Sequence, residues 1–261
     1  MKVVVKIGGA ALENEGTLHK CAHAIVDLAR DGHQIAVVHG GGAALTRTLE
    51  RLGKKSVFVN GLRVTDAETR DAALMVLSGL VNKKLVAAIG AMGIPAFGMS
   101  GGDGFSFRAR KKMTDQLDLG FVGEIVAAEP RWLEAIWAQS GIPVIASLAV
   151  GATGEYYNVN ADQMAAACAI ACHASALIFL TDVAGVKNAD GSVIRWLNLQ
   201  EIGTLVENAV VSGGMLPKLE ACREALKKGV GRVRILPAVE AEALAQFYFV
   251  KSVVGTEVRV A

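Results

Sequence analysis

The stretch VVVKIGGAAL, residues 3–12, places a lysine inside an apolar run and follows that run at once with two glycines. Successive β-branched residues are typical of a buried strand. In such a strand Lys6 would be costly to bury without an anionic partner. We therefore expect Lys6 to face a structural carboxylate or a bound anion, and the adjacent Gly8 and Gly9 favour the bound anion.

The run at residues 3–7 is the first of several short apolar runs that alternate with amphipathic stretches along the chain. This alternation predicts crossover units on a mostly parallel sheet, and therefore an α/β fold. The predicted strands are residues 3–7, 34–38, 94–99, 142–148, 176–180 and 233–236. The predicted helices are Leu18–Arg30, Ala43–Leu52, Asp66–Met92, Arg131–Gln139, Ala161–Cys172 and Met215–Lys228. Two further segments, Lys54–Arg63 and Phe105–Glu124, are predicted to form short hairpins that cover the edge of the sheet.

The chain has 261 residues and a formal net charge of +2, with no block of like charges. This balance argues against a nucleic acid or a membrane surface as partner and favours a small-molecule ligand. The four cysteines show no paired framework and the N-terminus lacks signal-peptide features, which together predict a reduced, cytoplasmic protein. Cys168 and Cys172 have helical spacing with His173 nearby, but without a second cluster they predict core packing and not a metal site.

Glycine clusters follow several predicted strands or precede a predicted helix, at Gly8–Gly9, Gly40–Gly42, Gly101–Gly102 and Gly213–Gly214. In an open α/β sheet, ligands bind at the carboxyl ends of the strands, where glycine lets backbone N–H groups approach an anion. Several such loops together predict a polyphosphate ligand, although any single loop is explained equally well by a tight turn. The P-loop pattern and the dinucleotide fingerprint are both absent, which argues against a P-loop enzyme and a nicotinamide oxidoreductase.

Polar residues outside the glycine clusters add candidates for anion binding. The segment NVNAD, residues 158–162, opens an alanine-rich predicted helix; Asn160 fits its N-cap, but capping leaves Asn158 without a role. Lys218 falls in the first turn of the last predicted helix, where the helix dipole disfavours a cation. The guanidinium fork of Arg63 matches a carboxylate. For Lys218 and Arg63 an ordinary surface position is the alternative interpretation.

The chain resembles the amino acid kinase family through seven motifs that occur in order along almost its whole length. They are KIGGA at 6–10, HGGG at 39–42, NGLRVT at 60–65, NVNAD at 158–162, TDVAGV at 181–186, GGMLPK at 213–218 and GTEV at 255–258. The first two are shared across that family, whereas NGLRVT and NVNAD together point to its acetylglutamate branch. The resemblance implies a three-layer αβα sandwich around a mostly parallel central sheet, in a single domain 1–261. Lobe 1–175 would bind the amino-acid substrate and dimerise, and lobe 176–261 would bind the nucleotide.

For that branch, the implied reaction transfers the γ-phosphoryl group of ATP to the side-chain carboxylate of N-acetyl-L-glutamate, giving N-acetyl-L-glutamyl 5-phosphate in arginine biosynthesis. Mg²⁺ would arrive on ATP, held largely by phosphates and water. By resemblance, Lys6 and Lys218 stabilise the transferring phosphoryl group from opposite sides, and Asp162 holds the two lysines. The implied substrate-binding residues are Gly41, Gly42, Arg63, Asn158 and Asn160. The implied nucleotide-binding residues are Gly8, Gly9, Thr181, Asp182, Val183, Gly185, Val186, Lys187, Val210, Val211 and Ser212.

The resemblance also implies a homodimer without arginine feedback, formed through the long helix after Arg63, because the chain begins directly with its first strand as arginine-insensitive members do. A PII-type regulator stays open as a partner. Two alternative functions remain: a sister kinase acting on aminoadipate or glutamate at the end of a carrier protein in lysine biosynthesis, and a non-catalytic sensor of amino acid or nucleotide. Gly102 stands where relatives commonly carry a lysine, and His39 has no assigned role.

Overall fold

Strands and helices alternate along most of the chain in the computed structural model, which describes residues 1–114, 117–208, 210–248 and 254–260. The strands are β1 (Lys2–Ile7), β2 (Gln34–His39), β3 (Phe58–Val59), β4 (Leu62–Arg63), β5 (Ala96–Met99), β6 (Phe107–Lys111), β7 (Val122–Ala128), β8 (Ile142–Ala146), β9 (Leu148–Val150), β10 (Tyr156–Val159), β11 (Ala176–Thr181), β12 (Trp196–Asn198), β13 (Val233–Pro237) and β14 (Thr256–Arg259). The α-helices are α1 (Gly9–Glu13), α2 (Glu15–Arg30), α3 (Gly42–Arg51), α4 (Ala67–Ala73), α5 (Asn82–Gly90), α6 (Arg131–Ala138), α7 (Ala161–Ala171), α8 (Leu199–Glu207) and α9 (Met215–Lys227). A π-helical segment, Leu74–Val81, joins α4 to α5, and 3₁₀ helices span Asp103–Phe105 and Ala238–Tyr248.

In the described part of the chain, eight strands form the central sheet, in the order β12-β14-β13-β11-β1-β2-β8-β5. Every neighbouring pair is parallel except β13 and β14, which run antiparallel. Strand β1 lies inside the sheet, where Lys6 is paired with Phe179 on one side and with Val38 on the other. The mostly parallel sheet predicted from the alternating pattern is therefore confirmed.

The side chains of β1 show how the sheet divides the interior into two cores. Val3, Val5 and Ile7 pack into the core that also contains the buried side chains of α2, α3 and α5. Val4 packs into the opposite core, with the buried side chains of α7 and α9. Because successive side chains of a strand point to opposite faces, Lys6 shares the face of Val4 and points towards α7 and α9. Helices on both faces make the three layers of the αβα sandwich.

A second, four-stranded sheet closes in the order β10-β7-β6-β9, and β3 and β4 form a separate hairpin. Both predicted hairpins are confirmed, since β3 pairs with β4 and β6 pairs with β7 in antiparallel fashion. Residues 115 and 116, within the predicted hairpin Phe105–Glu124, lie outside the described residues. The N–H of Thr65 donates to the oxygen of Leu119 at 2.9 Å, and the N–H of Phe121 donates to the oxygen of Thr65 at 2.6 Å. These bonds tie the exit of the β3–β4 hairpin to the larger sheet.

Several predicted boundaries are wrong, each for a local physical reason. The predicted strand 142–148 is two strands, because β8 belongs to the central sheet and β9 to the four-stranded sheet. The predicted helix Asp66–Met92 is present as one continuous helix, Ala67–Gly90, but its middle part, Leu74–Val81, is π-helical. An additional short helix, α1, begins two residues after β1. The short elements β10, β12, α8 and β14 and the 3₁₀ helix Ala238–Tyr248 escaped prediction, since none has a long enough apolar period to stand out in the sequence.

The predicted division into two lobes at residue 175 falls between neighbours in one sheet, since β1 pairs directly with β11. The separate roles of the two lobes remain a prediction.

The continuous helix Ala67–Gly90 is long and apolar enough to cross a membrane by length and composition alone, and half of its most apolar window is buried inside the protein.

Candidate active site

Two glycine loops meet where β1 and β2 end. Gly8 and Gly9 follow β1, and Gly40 to Gly42 follow β2. A Cβ atom placed on Gly9 would lie 3.1 Å from the backbone nitrogen of Gly41 and 3.2 Å from that of Gly42. A side chain at position 9 would therefore crowd the second loop, so the close approach of the two loops favours glycine there. This approach brings together two of the predicted anion-binding segments.

Lys6, Asp162 and Lys218 form one buried cluster beside these loops. The Nζ atom of Lys6 lies 2.7 Å from Oδ1 of Asp162. The Nζ atom of Lys218 lies 3.0 Å from each carboxylate oxygen of the same residue, and 5.1 Å from the centre of the Phe179 ring. The partner of Lys6 in the structure is thus a structural carboxylate, the less favoured of the two partners expected from the sequence. That carboxylate is shared with a second lysine.

Local structure explains why these three side chains converge. Lys6 points from β1 to the face that α7 covers, and α7 packs against α9. Asn160 caps α7, because its Oδ1 accepts from the backbone N–H groups of Asp162 and Gln163 at 2.9 and 3.3 Å. This cap places Asp162 in the first turn of α7, where the helix dipole stabilises a carboxylate. The N-cap interpretation of Asn160 is therefore confirmed.

The cluster carries more positive than negative charge. Burial alone would raise the pKa of Asp162, but the charges of Lys6 and Lys218 outweigh burial and hold that pKa below its usual range. Burial, opposed by the charge of Asp162 and aided by that of Lys218, lowers the pKa of Lys6. The charge of Asp182 makes a further, smaller favourable contribution at Lys6. Within the cluster itself one carboxylate contacts two ammonium groups, and this leaves an excess positive charge that an anion can compensate.

Arg63 is a second buried cation near the glycine loops. Its guanidinium donates to the oxygen of Gly42 at 2.9 Å and to Oγ1 of Thr46 at 2.8 Å, and it also donates to the hydroxyl of Ser56. The group lies 4.6 Å from the centre of the Phe58 ring, and burial lowers its pKa. Within the described ranges Arg63 has no carboxylate partner, so its surface interpretation is wrong and its charge is free to pair with an anionic ligand.

Arg63 lines a cavity of about 160 Å³ together with Gly41, Gly42, Ser147, Asn158 and Asn160. All five substrate-binding residues of the sequence analysis thus meet at one cavity. The Nδ2 atom of Asn158 donates to Oγ1 of Thr65 at a long 3.4 Å. A neighbouring cavity of about 440 Å³ shares Asn160 with the first and extends to Gln163 and Glu220. The two cavities provide room for a small ligand beside the buried charges.

Part of the segment predicted to bind a nucleotide adjoins the first glycine loop. Thr181 ends β11, and the N–H of Gly8 donates to the oxygen of Leu180 at 2.9 Å. Further along this segment, the N–H of Val186 donates to Oγ1 of Thr256 at 2.9 Å, and a Cβ atom on Gly185 would lie 2.7 Å from the same oxygen.

The other residues predicted to bind the nucleotide are Asp182, Val183, Lys187 and residues 210–212. Asp182 accepts from Oγ1 of Thr181 at 3.1 Å, whereas Val183 and Lys187 are exposed. Val210, Val211 and Ser212 precede α9. Nucleotide binding by residues 181–187 and 210–212 stays a prediction.

Some features of the site could not be seen in the sequence. Ser56 and Thr46 support Arg63, but nothing in their local sequence marks them out. Gly102 packs against Tyr156, whose hydroxyl a Cβ atom at position 102 would overlap, so a lysine there would displace the tyrosine. Among the described residues, no three of His, Cys, Asp and Glu form a group that could hold a metal ion.

A mostly parallel sheet that ends in paired glycine loops beside a buried Lys–Asp–Lys cluster is the arrangement of a protein suited to phosphoryl transfer. The family model described as the amino acid kinase family matches residues 1–237. The chain belongs to the amino acid kinase family.

Individual relatives narrow the comparison. The acetylglutamate kinase of Acidobacterium capsulatum is 65% identical over 258 residues, covering 99% of both chains. The acetylglutamate kinase of Koribacter versatilis is 58% identical over 257 residues, covering 98% of both chains. Among solved structures, smu.665 from Streptococcus mutans UA159 is similar with a TM-score of 0.84 at 28% identity, over 100% of this chain and 99% of that one.

Replacing Asp162 by Asn should destabilise the fold, because it leaves two buried ammonium groups without their counter-charge. We expect a loss of about 3–5 kcal/mol in the free energy of unfolding at neutral pH. Since the folded-state pKa of Asp162 is depressed, its contribution is present above the unfolded pKa of ~3.9 and is lost as the pH falls through the folded value. The difference between wild type and variant should therefore narrow below pH ~4 in denaturant titrations.

The matched control is Asp71→Asn, which removes an exposed carboxylate. It should leave the free energy of unfolding nearly unchanged. A Asp162→Asn variant as stable as this control would contradict the assignment of Asp162 as the shared counter-charge.

Proposed function

We propose that this chain is an acetylglutamate kinase, which transfers the γ-phosphoryl group of ATP to the side-chain carboxylate of N-acetyl-L-glutamate in arginine biosynthesis. The single observation that carries the proposal is the buried Lys6–Asp162–Lys218 cluster, with its excess positive charge beside two glycine loops. The names of the two bacterial relatives above, which are alike over nearly the whole chain, support the same substrate.

The proposed reaction needs two contributions from the protein, namely positioning of the substrates and stabilisation of charge. The acceptor is a carboxylate with a pKa near ~4.3, so it is ionised at neutral pH and needs no general base. Catalysis of phosphoryl transfer then depends on holding the attacking and leaving oxygens in line and on stabilising charge on the transferring group. Two ammonium groups fixed by one carboxylate suit the second task, because their geometry is set before the substrates bind.

Each catalytic residue has a distinct role in this proposal. Lys6 and Lys218 stabilise charge on the transferring phosphoryl group from two sides, and Asp162 keeps both ammonium groups in place. The amide groups of Gly9, Gly41 and Gly42 donate to phosphoryl oxygens. The amides of Gly41 and Gly42 belong to the start of α3, where the first N–H groups have no partner within the helix.

The substrate is held by the residues around the smaller cavity. Arg63 pairs with the α-carboxylate, because its buried charge lacks an acidic partner among the described residues. Asn158 and Asn160 hydrogen-bond the groups on the α-carbon; the cap of α7 uses the carboxamide oxygen of Asn160 and leaves its amide nitrogen as a donor.

ATP is the co-substrate that membership of a kinase family implies. Its phosphates would reach Gly8 and Gly9, with the rest of the nucleotide along Thr181 to Lys187 and Val210 to Ser212. Mg²⁺ would be held by ATP phosphates and water, since it binds through few protein ligands in such sites. When bound, the metal would neutralise charge on the phosphates.

The two alternative functions have less support. A kinase for a carrier-linked substrate would belong to the same family, but relatives at 65% and 58% identity carry the acetylglutamate kinase name. A non-catalytic sensor would not need the complete cluster of Lys6, Asp162 and Lys218. The proposal places the enzyme in the cytoplasm.

The proposed assembly is a homodimer formed through the helix Ala67–Gly90. Met75 and Leu80 on this helix are 63% and 51% exposed, and Phe97 on the neighbouring edge strand β5 is 46% exposed. Exposed apolar side chains beside the edge strand β5 favour association with a second copy of the chain. A two-fold contact would use this same surface on both copies and would cover the apolar side chains and the strand edge together.

Trapping the acyl phosphate with hydroxylamine tests the reaction. With MgATP, we expect hydroxamate from N-acetyl-L-glutamate and none from glutamate, aspartate or aminoadipate. Absence of hydroxamate from every acceptor, with ATP binding shown separately, would contradict the proposal.

Lys218→Met tests the role of the second lysine. This variant should lower kcat by ~10²–10³-fold with little change in apparent acetylglutamate affinity, because the contact of Lys218 strengthens in the transition state. Lys227→Met, an exposed change on the same helix, is the control.

Arg63→Lys tests substrate binding. A lysine keeps the charge but loses the planar fork, so we expect the KM for acetylglutamate to rise at least ~10-fold while the KM for ATP stays within a factor of about two. Arg51→Lys, an exposed change on α3, should alter neither constant. Equal effects of Arg63→Lys on both KM values would argue against a contact with the amino-acid substrate.

Light scattering tests the assembly. The wild-type chain should have the mass of a dimer, and the double variant Met75→Glu, Leu80→Glu should be monomeric because charges would be buried in the contact. Val126→Glu changes an exposed apolar residue elsewhere and should remain dimeric. A hexamer, or inhibition of the wild-type enzyme by arginine, would overturn the proposed dimer without arginine feedback.

A further inference from the structure

His39 is a polar residue inside the central sheet that the proposed chemistry does not use. It is the last residue of β2, is fully buried, and is paired with Ile7 of β1 and Ala146 of β8. An imidazole buried in this way is unfavourable unless its nitrogens find hydrogen-bond partners. Nδ1 lies 2.9 Å from the oxygen of Gly40, and Nε2 lies 3.0 Å from Nδ2 of Asn82.

These two contacts define the tautomer of the ring. The carbonyl oxygen of Gly40 can only accept, so Nδ1 carries the proton and donates, and Nε2 accepts from Asn82. The amide of Asn82 cannot be reversed, because its Nδ2 also donates to the oxygen of Val144 at 2.9 Å and its Oδ1 accepts from Lys83 at 3.3 Å. Burial lowers the pKa of His39 to about 4, which keeps the ring neutral.

Asn82, which holds His39, directly follows a π-helical segment. The segment ends at Val81, and Asn82 is the fully buried first residue of α5. The same segment supports the glycine loop from behind: a Cβ atom on Gly41 would lie 2.6 Å from Cδ2 of Leu77 and 3.2 Å from Cγ2 of Val81. π-Helical turns are rare and are found frequently at functional sites.

The contact between His39 and Gly40 has a direct consequence for Gly41. A trans peptide unit is planar, and its C=O and N–H groups point in opposite directions. The structure has no cis peptide bond among the described residues. Since His39 fixes the carbonyl of Gly40, it also fixes the N–H of Gly41 on the side away from the imidazole, near Gly9 of the other loop.

We propose that His39 and Asn82 are positioning residues, which orient the Gly40–Gly41 peptide so that the N–H of Gly41 faces the transferring phosphoryl group. This inference rests on the proposed phosphoryl transfer. The two residues touch neither substrate; they act through the backbone of the loop, and the amide of Asn82, the first residue of α5, holds the ring.

Kinetics of variants test the proposal. Asn82→Leu and His39→Leu should lower kcat by ~10²-fold, because one donor to the transition state is misdirected, with the KM for acetylglutamate changed by less than ~3-fold. His39→Asn places an amide donor near the position of Nδ1 and should recover at least ~10-fold of the loss in kcat. Ser78→Ala is the matched control on the π-helical segment, since the buried Ser78 hydroxyl has no hydrogen-bond partner among the described residues, and it should leave both constants unchanged.

A measurement without turnover separates this inference from the proposed function. In ¹⁵N spectra of the wild-type chain, His39 should be the neutral Nδ1–H tautomer from pH 6 to 8.

Failure of the two proposals is distinguishable. If wild type forms no hydroxamate, the proposed function fails, and the tautomer of His39 still decides the contact. The positioning role is overturned by an Nε2–H tautomer in wild type, by wild-type kcat in a folded Asn82→Leu, or by equal kcat in His39→Asn and His39→Leu.

Discussion

The carboxylate of Asp162 holds two buried ammonium groups, and the arrangement of the site depends on that contact. It joins the central strand β1, through Lys6, to the starts of α7 and α9. Among the described residues one carboxylate contacts both ammonium groups, so the cluster itself keeps an excess positive charge. The same contact that connects the sheet to the helices thus leaves a fixed positive charge near the carboxyl end of β1. An anionic group would be stabilised there during its transfer.

Backbone geometry supplies what the charged cluster cannot. The loops after β1 and β2 approach so closely that a side chain at Gly9 would press on the amides of Gly41 and Gly42. These amides open α3, so they have no partners inside the helix and are available to an anion. The buried, neutral His39 and the buried Arg63 border the second loop from different sides. Both make hydrogen bonds to glycine carbonyl groups, so the loop is held by polar contacts and by the packing of Leu77.

Much of the fold was predictable because long apolar runs have one clear interpretation. β1, β2, β11 and β13 are central strands covered on both faces, and their sequences are almost continuously apolar. The boundary between β8 and β9 was not predictable, since the apolar pattern continues across Ser147 while the chain passes from one sheet to the other. The π-helical segment was hidden for a similar reason: LMVLSGLV is apolar on all sides and carries no period that separates one helix type from another.

By itself, the sequence determined the α/β class, the glycine loops at strand ends and the need of Lys6 for an anionic partner, because each follows from local composition and from the cost of burying a charge. Only the tertiary structure decided which partner Lys6 has, that Lys218 shares it, that Arg63 is buried without a carboxylate within the described ranges, and that Asn82 holds His39. These contacts join residues from 21 to 156 positions apart in the chain. No local sequence pattern predicts contacts between residues so far apart in the chain. These contacts arise from the order of the strands in the sheet and from the packing of helices on the sheet.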